Sequence, residues 1–330
     1  MIDEEVEMEK LFNEIIEQAI LQSASDIHFI PCDKNVSIKF RVQGDIEEYS
    51  DIDDILFKKL LSYIKFTAHL DVSEKNKAQS GIIHFNLDNL RYNIRASTLP
   101  RSLGDEACVL RIIRQSFIDE YQTDDQILFD QMKKSNGIII ISGPTGSGKS
   151  TLMYQLVHFA KDTLKRQVIS IEDPVEQHID GIIQVNVNEK AEITYQTAIK
   201  AILRCDPDII MLGEIRDSVV AQQVINAGLS GHLVLTTLHA NDCIGALFRL
   251  KEMGINAVDL YQSINLIINQ RLIKKRDEKE RILAYEFLTK KDIEKYLKDK
   301  HINYRTLADI FKEMYETNQI SQHEFEKFDL

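Results

Sequence analysis

The sequence predicts an α/β protein of two domains, a small α+β domain followed by one built on a parallel sheet. Three observations predict it. The 330 residues are about twice the usual domain length. In the second part, apolar strand-like runs alternate with helical periodicity, as parallel architecture requires. A glycine-rich phosphate-binding pattern also lies between one of those strands and a helix.

From Met8 to Leu21, the residues Met8, Leu11, Phe12, Ile15, Ile16, Ala19 and Ile20 recur at three and four residues, the apolar stripe of an amphipathic helix whose other face is acidic. Val36 to Val42 reads as a strand ending at Gly44, Ile55 to Leu70 as a helix, and Arg91 to Ser97 and Ala107 to Arg114 as strands. These make a first domain over residues 1–118. Residues 119–126 are polar, show neither periodicity, and read as a linker to a second domain over 127–330. Beyond about Lys290 the chain turns charged and helical, at Asp292 to Lys298 and Thr306 to Glu316.

Composition excludes several function classes. A formal charge of -12 disfavours attachment to a polyanion, so direct nucleic-acid binding is not expected. Cys32, Cys108, Cys205 and Cys243 are scattered without a Cys-x-x-Cys pair, which argues against a zinc site or disulfide framework and suits a reducing cytosol. The longest pure apolar run, Ile138 to Ile141, is far short of the roughly 20 residues of a membrane span. The acidic N-terminus is neither a signal nor a transit peptide, so a cytoplasmic protein is expected.

The strand Gly137 to Ser142 runs into Gly143, Pro144, Thr145, Gly146, Ser147, Gly148, Lys149, Ser150 and Thr151, and then into a helix. This satisfies G-x-x-x-x-G-K-[ST] in its strand-loop-helix setting. Glycines let successive backbone N–H groups wrap phosphates, the helix N-terminus adds positive potential, Lys149 reaches the β and γ phosphates, and Ser150 can ligate Mg2+. ATP and Mg2+ are the expected ligands.

Three further segments read as strands buried on both faces: Gln167 to Ile171, Ile209 to Leu212, and Leu233 to Thr237. Each delivers polar residues at its carboxyl end, where an open α/β sheet binds its ligand: Glu172 with Asp173, Glu214 with Arg216 and Asp217, and His239 with Asn241 and Asp242. Asp208 lies six residues before Glu214, roughly 20 Å away at the wrong end of the sheet, so Glu214 is the better magnesium-associated acid, acting directly or through water. Glu172 remains to orient the attacking water; the alternative is that it and Asp173 only cap a turn before Pro174. His239 reads as a donor to the γ-phosphate, and His232 equally well as a residue satisfied at a strand start. Seven residues apart and without a third ligand, the two histidines do not suggest a metal site.

In the first domain, Arg95 lies on a polar strand face with Arg91 and Asn93, while Arg111 alternates with Val109 and Ile113 on an apolar one. An arginine there needs an anion, either an internal carboxylate or a phosphate at an interface.

Together these residues resemble the secretion or traffic ATPases that power type II secretion, type IV pili and competence pseudopili, from about Ala24 to Arg271. The likeness begins at Ala24, Ser25, Asp26, Ile27, His28 with Pro31, Phe40, Arg41 and Gly44. After the phosphate loop come segments resembling the family's Asp box (Ile171 to Glu176), its atypical Walker B (Leu203 to Asp217) and its His box (Gly231 to Asp242). The resemblance implies a PAS-like N-terminal domain joined to a RecA-like P-loop ATPase domain. It implies Glu172 as catalytic glutamate, Glu214 as Walker B acid, and Arg95 and Arg111 as arginine fingers. It further implies a hexamer at the inner face of the cytoplasmic membrane, attached through an inner-membrane platform protein.

Departures narrow the subgroup. The tetracysteine module and extra N-terminal domain of long assembly ATPases are not seen, nor is the Ala-Ile-Arg-Asn-Leu-Ile-Arg-like helix of retraction motors. Ala78 and Ser80 interrupt an Arg-Pro-Gln-Asp-Gly-like stretch, and Cys205 stands where Gln is common. What remains resembles a short assembly ATPase of a competence system for DNA uptake; a retraction motor and a nucleotide-dependent scaffold with negligible turnover are the alternatives. Arg271, Lys274, Lys275 and Arg276 form a basic cluster in the sequence.

Overall fold

The periodic stripe near the N-terminus forms helix α1 (Ile2–Leu21), which buries Met8, Phe12, Ile15, Ile16 and Ala19. The computed structural model describes residues 2–328 apart from 33–34, 89, 103–104, 116–125, 189–190 and 277–280. The chain divides into two units, Met1–Phe117 and Ile118–Leu330. The expected linker lies outside the described residues except for Gln126, which opens a helix.

In the first unit, strands β1 (Ala24–Pro31), β2 (Asn35–Val42), β3 (Asp45–Asp53), β4 (Gln79–Leu87), β5 (Leu90–Pro100) and β6 (Glu106–Gln115) form an antiparallel sheet of order β3-β2-β1-β6-β5-β4. Helix α2 (Asp54–Thr67) starts where the Asp53 carboxylate accepts the N–H groups of Ile55 and Leu56. Its Phe57, Leu60, Leu61 and Ile64 join α1 and the inner sheet face in one core, with Phe57 stacked on Phe29 at 5.7 Å. One polar residue shares that buried stripe. The Lys65 ammonium lies 2.6 Å and 2.8 Å from the two carboxylate oxygens of Glu106 on β6, and both side chains are buried.

Strand pairing relates Arg95 and Arg111, which the sequence places only within their own strands. The antiparallel register sets Arg95 opposite Arg111, and directly opposed residues point to the same face, so the two arginines share one. That face is the outer one. Alternation along β6 turns Cys108 and Leu110 into the core, while Val109, Arg111 and Ile113 are not fully buried. The Arg111 Nε is 2.8 Å from Asp26 Oδ1, so the anion it meets within its own unit is a carboxylate.

The second unit is a seven-stranded sheet: β7 (Gly137–Ser142), β8 (Val168–Glu172), β9 (Ile183–Asn186), β10 (Ile209–Leu212), β11 (Leu233–Leu238), β12 (Ile264–Lys274) and β13 (Arg281–Thr289), in the order β13-β12-β7-β11-β10-β8-β9. All neighbours are parallel except β12 and β13. Ile138 and Ile140 enter one core and Ile139 and Ile141 the other, which explains why β7 reads as an unbroken apolar run. Helices α3 (Gln126–Met132) and α4 (Lys149–Asp162) cover the second face; α5 (Tyr195–Ile202), α6 (Ser218–Leu229), α7 (Cys243–Glu252), α8 (Ala257–Ser263) and α9 (Lys290–Asp299) cover the first. Each fully buried isoleucine contributes about 1.5–3 kcal/mol. Helices α10 (Leu307–Glu316) and α11 (Gln322–Phe328) pack over Ile273 and Ala284.

Strand β7 lies between β11 and β12, neither its neighbour in sequence, so the chain changes direction across the sheet there and opens a crevice at the carboxyl end of β7. The architecture is the expected one, a small α+β, PAS-like domain joined to a RecA-like α/β domain.

Candidate nucleotide site

The loop from Gly143 to Gly148 occupies that crevice. Gly143, Gly146 and Gly148 have φ of 143°, 78° and 87°, a region open to glycine at little cost. A Cβ on Gly143 would lie 2.6 Å from the Gln270 carbonyl oxygen and 2.7 Å from Ser147 Oγ, so this position excludes any side chain. Gly148 is the N-cap of α4 and supplies no side-chain cap, which leaves the N–H groups of the first turn for an anion.

Lys149 opens α4 and turns back over the loop, donating to the carbonyls of Gly143 (2.9 Å) and Pro144 (2.8 Å). Burial lowers its pKa to about 8, with the Glu214 carboxylate opposing and Arg271 assisting. Ser147 Oγ is buried with no hydrogen-bond partner. An orphaned hydroxyl, an uncapped helix start and a buried ammonium within one short loop fit a polyphosphate. Ser150 is half-buried on the first turn of α4 and Thr151 exposed. Among the described residues no group of three or more His, Cys, Asp or Glu is placed to hold a metal ion.

Glu214 follows β10 on a segment held from both sides: the Gly213 N–H donates to Ile171 O (2.9 Å), the Ile215 N–H to Thr237 O (2.9 Å), and Thr237 Oγ1 to Gly213 O (2.6 Å). Its carboxylate pairs with Arg216, which also reaches Asp173 at 2.7 Å and lies over the Tyr195 ring, and sits 3.5 Å from His239 Nε2. Burial lowers the His239 pKa and nearby Lys149 lowers it further, while Glu214 opposes, so a neutral imidazole is favoured. Asp208 lies at the opposite end of β10, where it accepts the Gln167 N–H at 2.8 Å. Asp217 and Asp242 are N-caps of α6 and α7. His232 precedes β11 with its Nδ1 3.4 Å from Ser230 Oγ.

Glu172 is the last residue of β8 and is only 4% exposed. Its carboxylate accepts the Ser170 hydroxyl (2.6 Å), the Gln184 amide (3.2 Å) and the Tyr154 hydroxyl. Burial raises its pKa, and the three donors oppose that shift. The two carboxylates therefore differ in setting: Glu214 is ion-paired and partly exposed, Glu172 is buried among neutral donors.

The structure brings the phosphate loop, Glu172, Glu214 and His239 to the carboxyl ends of adjoining strands of one sheet. Arg95 and Arg111 belong to the other unit.

Sequence reasoning did not place three residues in the middle of β12 at this site. Asn269 donates to Ser142 Oγ (2.8 Å) and Ala240 O (2.9 Å), Gln270 to Ser147 O (2.6 Å), and Arg271 to Asn269 Oδ1 (2.7 Å), Gln270 O (3.0 Å) and Asn241 O (2.8 Å). All three are buried, so Arg271 is not part of a surface cluster with Lys274, Lys275 and Arg276. Together they tie the phosphate loop to the segment after His239. The available signal was three polar residues interrupting an apolar strand, each of which needs a partner once buried.

Comparison with known proteins follows the same lines. The profile of the type II/IV secretion system protein family matches residues 2–319. The competence protein ComGA of Bacillus subtilis (strain 168) is 36% identical over 332 residues, covering 92% of this chain and 93% of that one. A putative type II secretion system protein E of Escherichia coli (strain K12) is 39% identical over 273 residues, 81% of this chain and 55% of that one; this chain thus spans about half its length. The solved structure of the pilus retraction motor PilT with bound ADP aligns at TM-score 0.71 and 25% identity, over 96% of each chain.

Proposed function

The chain belongs to the type II/IV secretion system protein family, and from that premise we propose that it is a hexameric motor ATPase driving assembly of a type IV-like competence pseudopilus for DNA uptake. The observation that carries the ATPase reading is the meeting of Lys149, Glu214, His239 and Glu172 at one crevice, with Lys149 close enough to Glu214 for the carboxylate to raise its pKa against burial. The identity with ComGA over nearly the whole of both chains supports the competence role.

In the proposed reaction, water attacks the γ-phosphorus in line as the bond to the β-phosphate oxygen breaks, giving ADP and phosphate. Backbone N–H groups of the phosphate loop, Pro144 excepted, hold the phosphates, and Lys149 leaves its carbonyl partners to neutralise the β and γ oxygens. Ser150 and Glu214 would hold Mg2+, directly or through water, and the ion would offset phosphate charge. Glu172 orients the water, and His239 donates to the γ-phosphate. Arg95 and Arg111 act as arginine fingers from the first domain. Work is delivered to a membrane platform protein at the cytoplasmic face; among the described residues no helix is long and apolar enough to cross a membrane.

The test is ATP turnover by purified hexamers with and without the platform protein. Negligible turnover in both leaves the nucleotide-dependent scaffold in place of the motor. The similarity to PilT favours retraction as the second reading. Deletion separates the two, since loss of an assembly motor leaves no pseudopili and loss of a retraction motor leaves an excess.

A further inference from the structure

Tyr154 lies five residues beyond Lys149 on α4 and is buried. Its hydroxyl oxygen accepts the backbone N–H groups of Glu176 and Gln177, each at 3.1 Å. A phenol has two acceptor lone pairs and one proton, so with both lone pairs engaged the proton is left for Glu172 Oε2, the remaining contact.

Acceptor counting extends to the carboxylate. An ionised carboxylate has about four acceptor sites. Oε1 receives the Ser170 hydroxyl and the Gln184 amide, and Oε2 receives Tyr154. The Gln184 amide is not free to turn over, because its Oε1 accepts the Ile179 N–H at 2.7 Å while its Nε2 also donates to Gln177 O at 2.9 Å. Counting contacts among the described residues, a single acceptor site therefore remains, on the oxygen that Tyr154 holds.

We infer that Tyr154 is a positioning residue for Glu172, aiming its one remaining acceptor site and tying it to the phosphate-binding helix. The inference rests on the reading of Glu172 as the residue that orients water. Because Lys149 and Tyr154 share one helix, phosphates seated at its N-terminus and the carboxylate at its side are held as one body. The hydroxyl also holds the 176–177 backbone, so carboxylate, helix and the segment after Pro174 meet at one oxygen atom.

The inference has a signature that packing alone lacks. Donors to an ionised carboxylate lower its pKa, so removing one raises it. Among the described residues, the titratable groups facing Glu172 are Tyr154 from α4, Glu176 from the following loop and Tyr195 from α5, with Asp173, Glu214 and Arg216 grouped around Tyr195. Burial and the Glu172 charge raise the Tyr154 pKa, so the phenol keeps its proton throughout.

The experiment measures kcat, KM for ATP and the pH dependence of kcat on the full chain. Tyr154→Phe is expected to lower kcat about tenfold or more with KM within about twofold, and to move the acid limb of kcat to higher pH. Ser170→Ala, which removes a donor from the other oxygen, moves the limb the same way. Site-specific replacement of Tyr154 by 3-fluorotyrosine keeps the hydroxyl and strengthens it as a donor, so the limb moves to lower pH; this variant decides the matter where Tyr154→Phe does not fold. An acid limb unmoved by the change at Tyr154, in a protein that Glu172→Gln inactivates, overturns the inference and leaves Tyr154 a packing residue. Normal turnover by Glu172→Gln instead removes the reading of Glu172 on which the inference rests.

Discussion

Arg95 and Arg111 stand directly opposite one another across β5 and β6, two guanidinium groups on one sheet face. Like charges so placed repel. Arg111 is relieved by Asp26, whereas the Arg95 Nε donates to the neutral Ser80 hydroxyl at 3.1 Å. As the proposed arginine fingers, the two would meet a phosphate with this face. Arg95→Ala should leave ATP binding within a few-fold and lower turnover by about a hundredfold or more, since arginine fingers in other NTPases supply roughly 10³ to 10⁵. Arg111→Ala also removes the nearer guanidinium from Asp26, which is 4% exposed and keeps Arg41 at 3.8 Å and the Ser25 hydroxyl at 2.8 Å, and should lower thermal stability in addition. Nucleotide affinity, turnover and melting temperature measured together separate the two effects. Normal turnover in both variants makes the arginines structural.

Lys149→Ala should abolish hydrolysis and greatly weaken ATP binding while the fold persists. The ammonium is the nearest positive charge to the loop, and without it the carbonyls of Gly143 and Pro144 lose their donor and the phosphates their counter-charge. Titration with a fluorescent nucleotide and a steady-state assay check this. Unchanged turnover removes the loop from the reaction.

The two carboxylates should fail differently. Glu172→Gln keeps its shape and loses the charge proposed to orient water, so ATP should still bind and hydrolysis should fall by about a hundredfold or more. Glu214→Gln weakens the pairing with Arg216 and the proposed hold on Mg2+, so the Mg2+ concentration giving half-maximal rate should rise. Mg2+ titrations of both variants give the comparison; a Mg2+ shift in Glu172→Gln and none in Glu214→Gln would exchange the roles.

The parts of the molecule that were legible are those where one pattern and one constraint coincide. Ile138 to Ile141 face two cores at once, so their unbroken apolarity marks β7, and the glycine-rich pattern directly after it marks the phosphate loop. Asp208 was excluded as the magnesium acid by strand length alone, and it does lie at the far end of β10 from Glu214. Register was not legible. Alternation within β5 and β6 showed which residues share a strand face, but only the pairing of Arg95 with Arg111 shows that their faces coincide. Strand β3 escaped notice because most of its residues are exposed at a sheet edge, where no apolar alternation is needed. Tyr154 and Gln184 were invisible for another reason. Their partner Glu172 is 18 and 12 residues away along the chain, and nothing local marks the contact.

The buried pair Lys65 and Glu106 yields a prediction about the first unit alone. Lys65 continues the apolar stripe of α2 at 1% exposure, and Glu106 opens β6 at 6%. The ammonium also donates to Glu74 O at 2.8 Å, so it anchors the segment before β4 as well as the strand. Two charges taken from water gain about as much from each other as they lose in hydration, so the pair as a whole adds little stability. Breaking it is another matter. Lys65→Ala leaves a buried carboxylate without a counter-charge and should cost about 3–5 kcal/mol. Glu106→Ala should cost a similar amount by stranding the ammonium. The double change Lys65→Met with Glu106→Leu removes both charges and keeps volume, so it should recover most of that loss. Denaturant unfolding of the three variants measures it. If the double change is as unstable as either single one, the pair contributes through its link to Glu74 and not through mutual neutralisation.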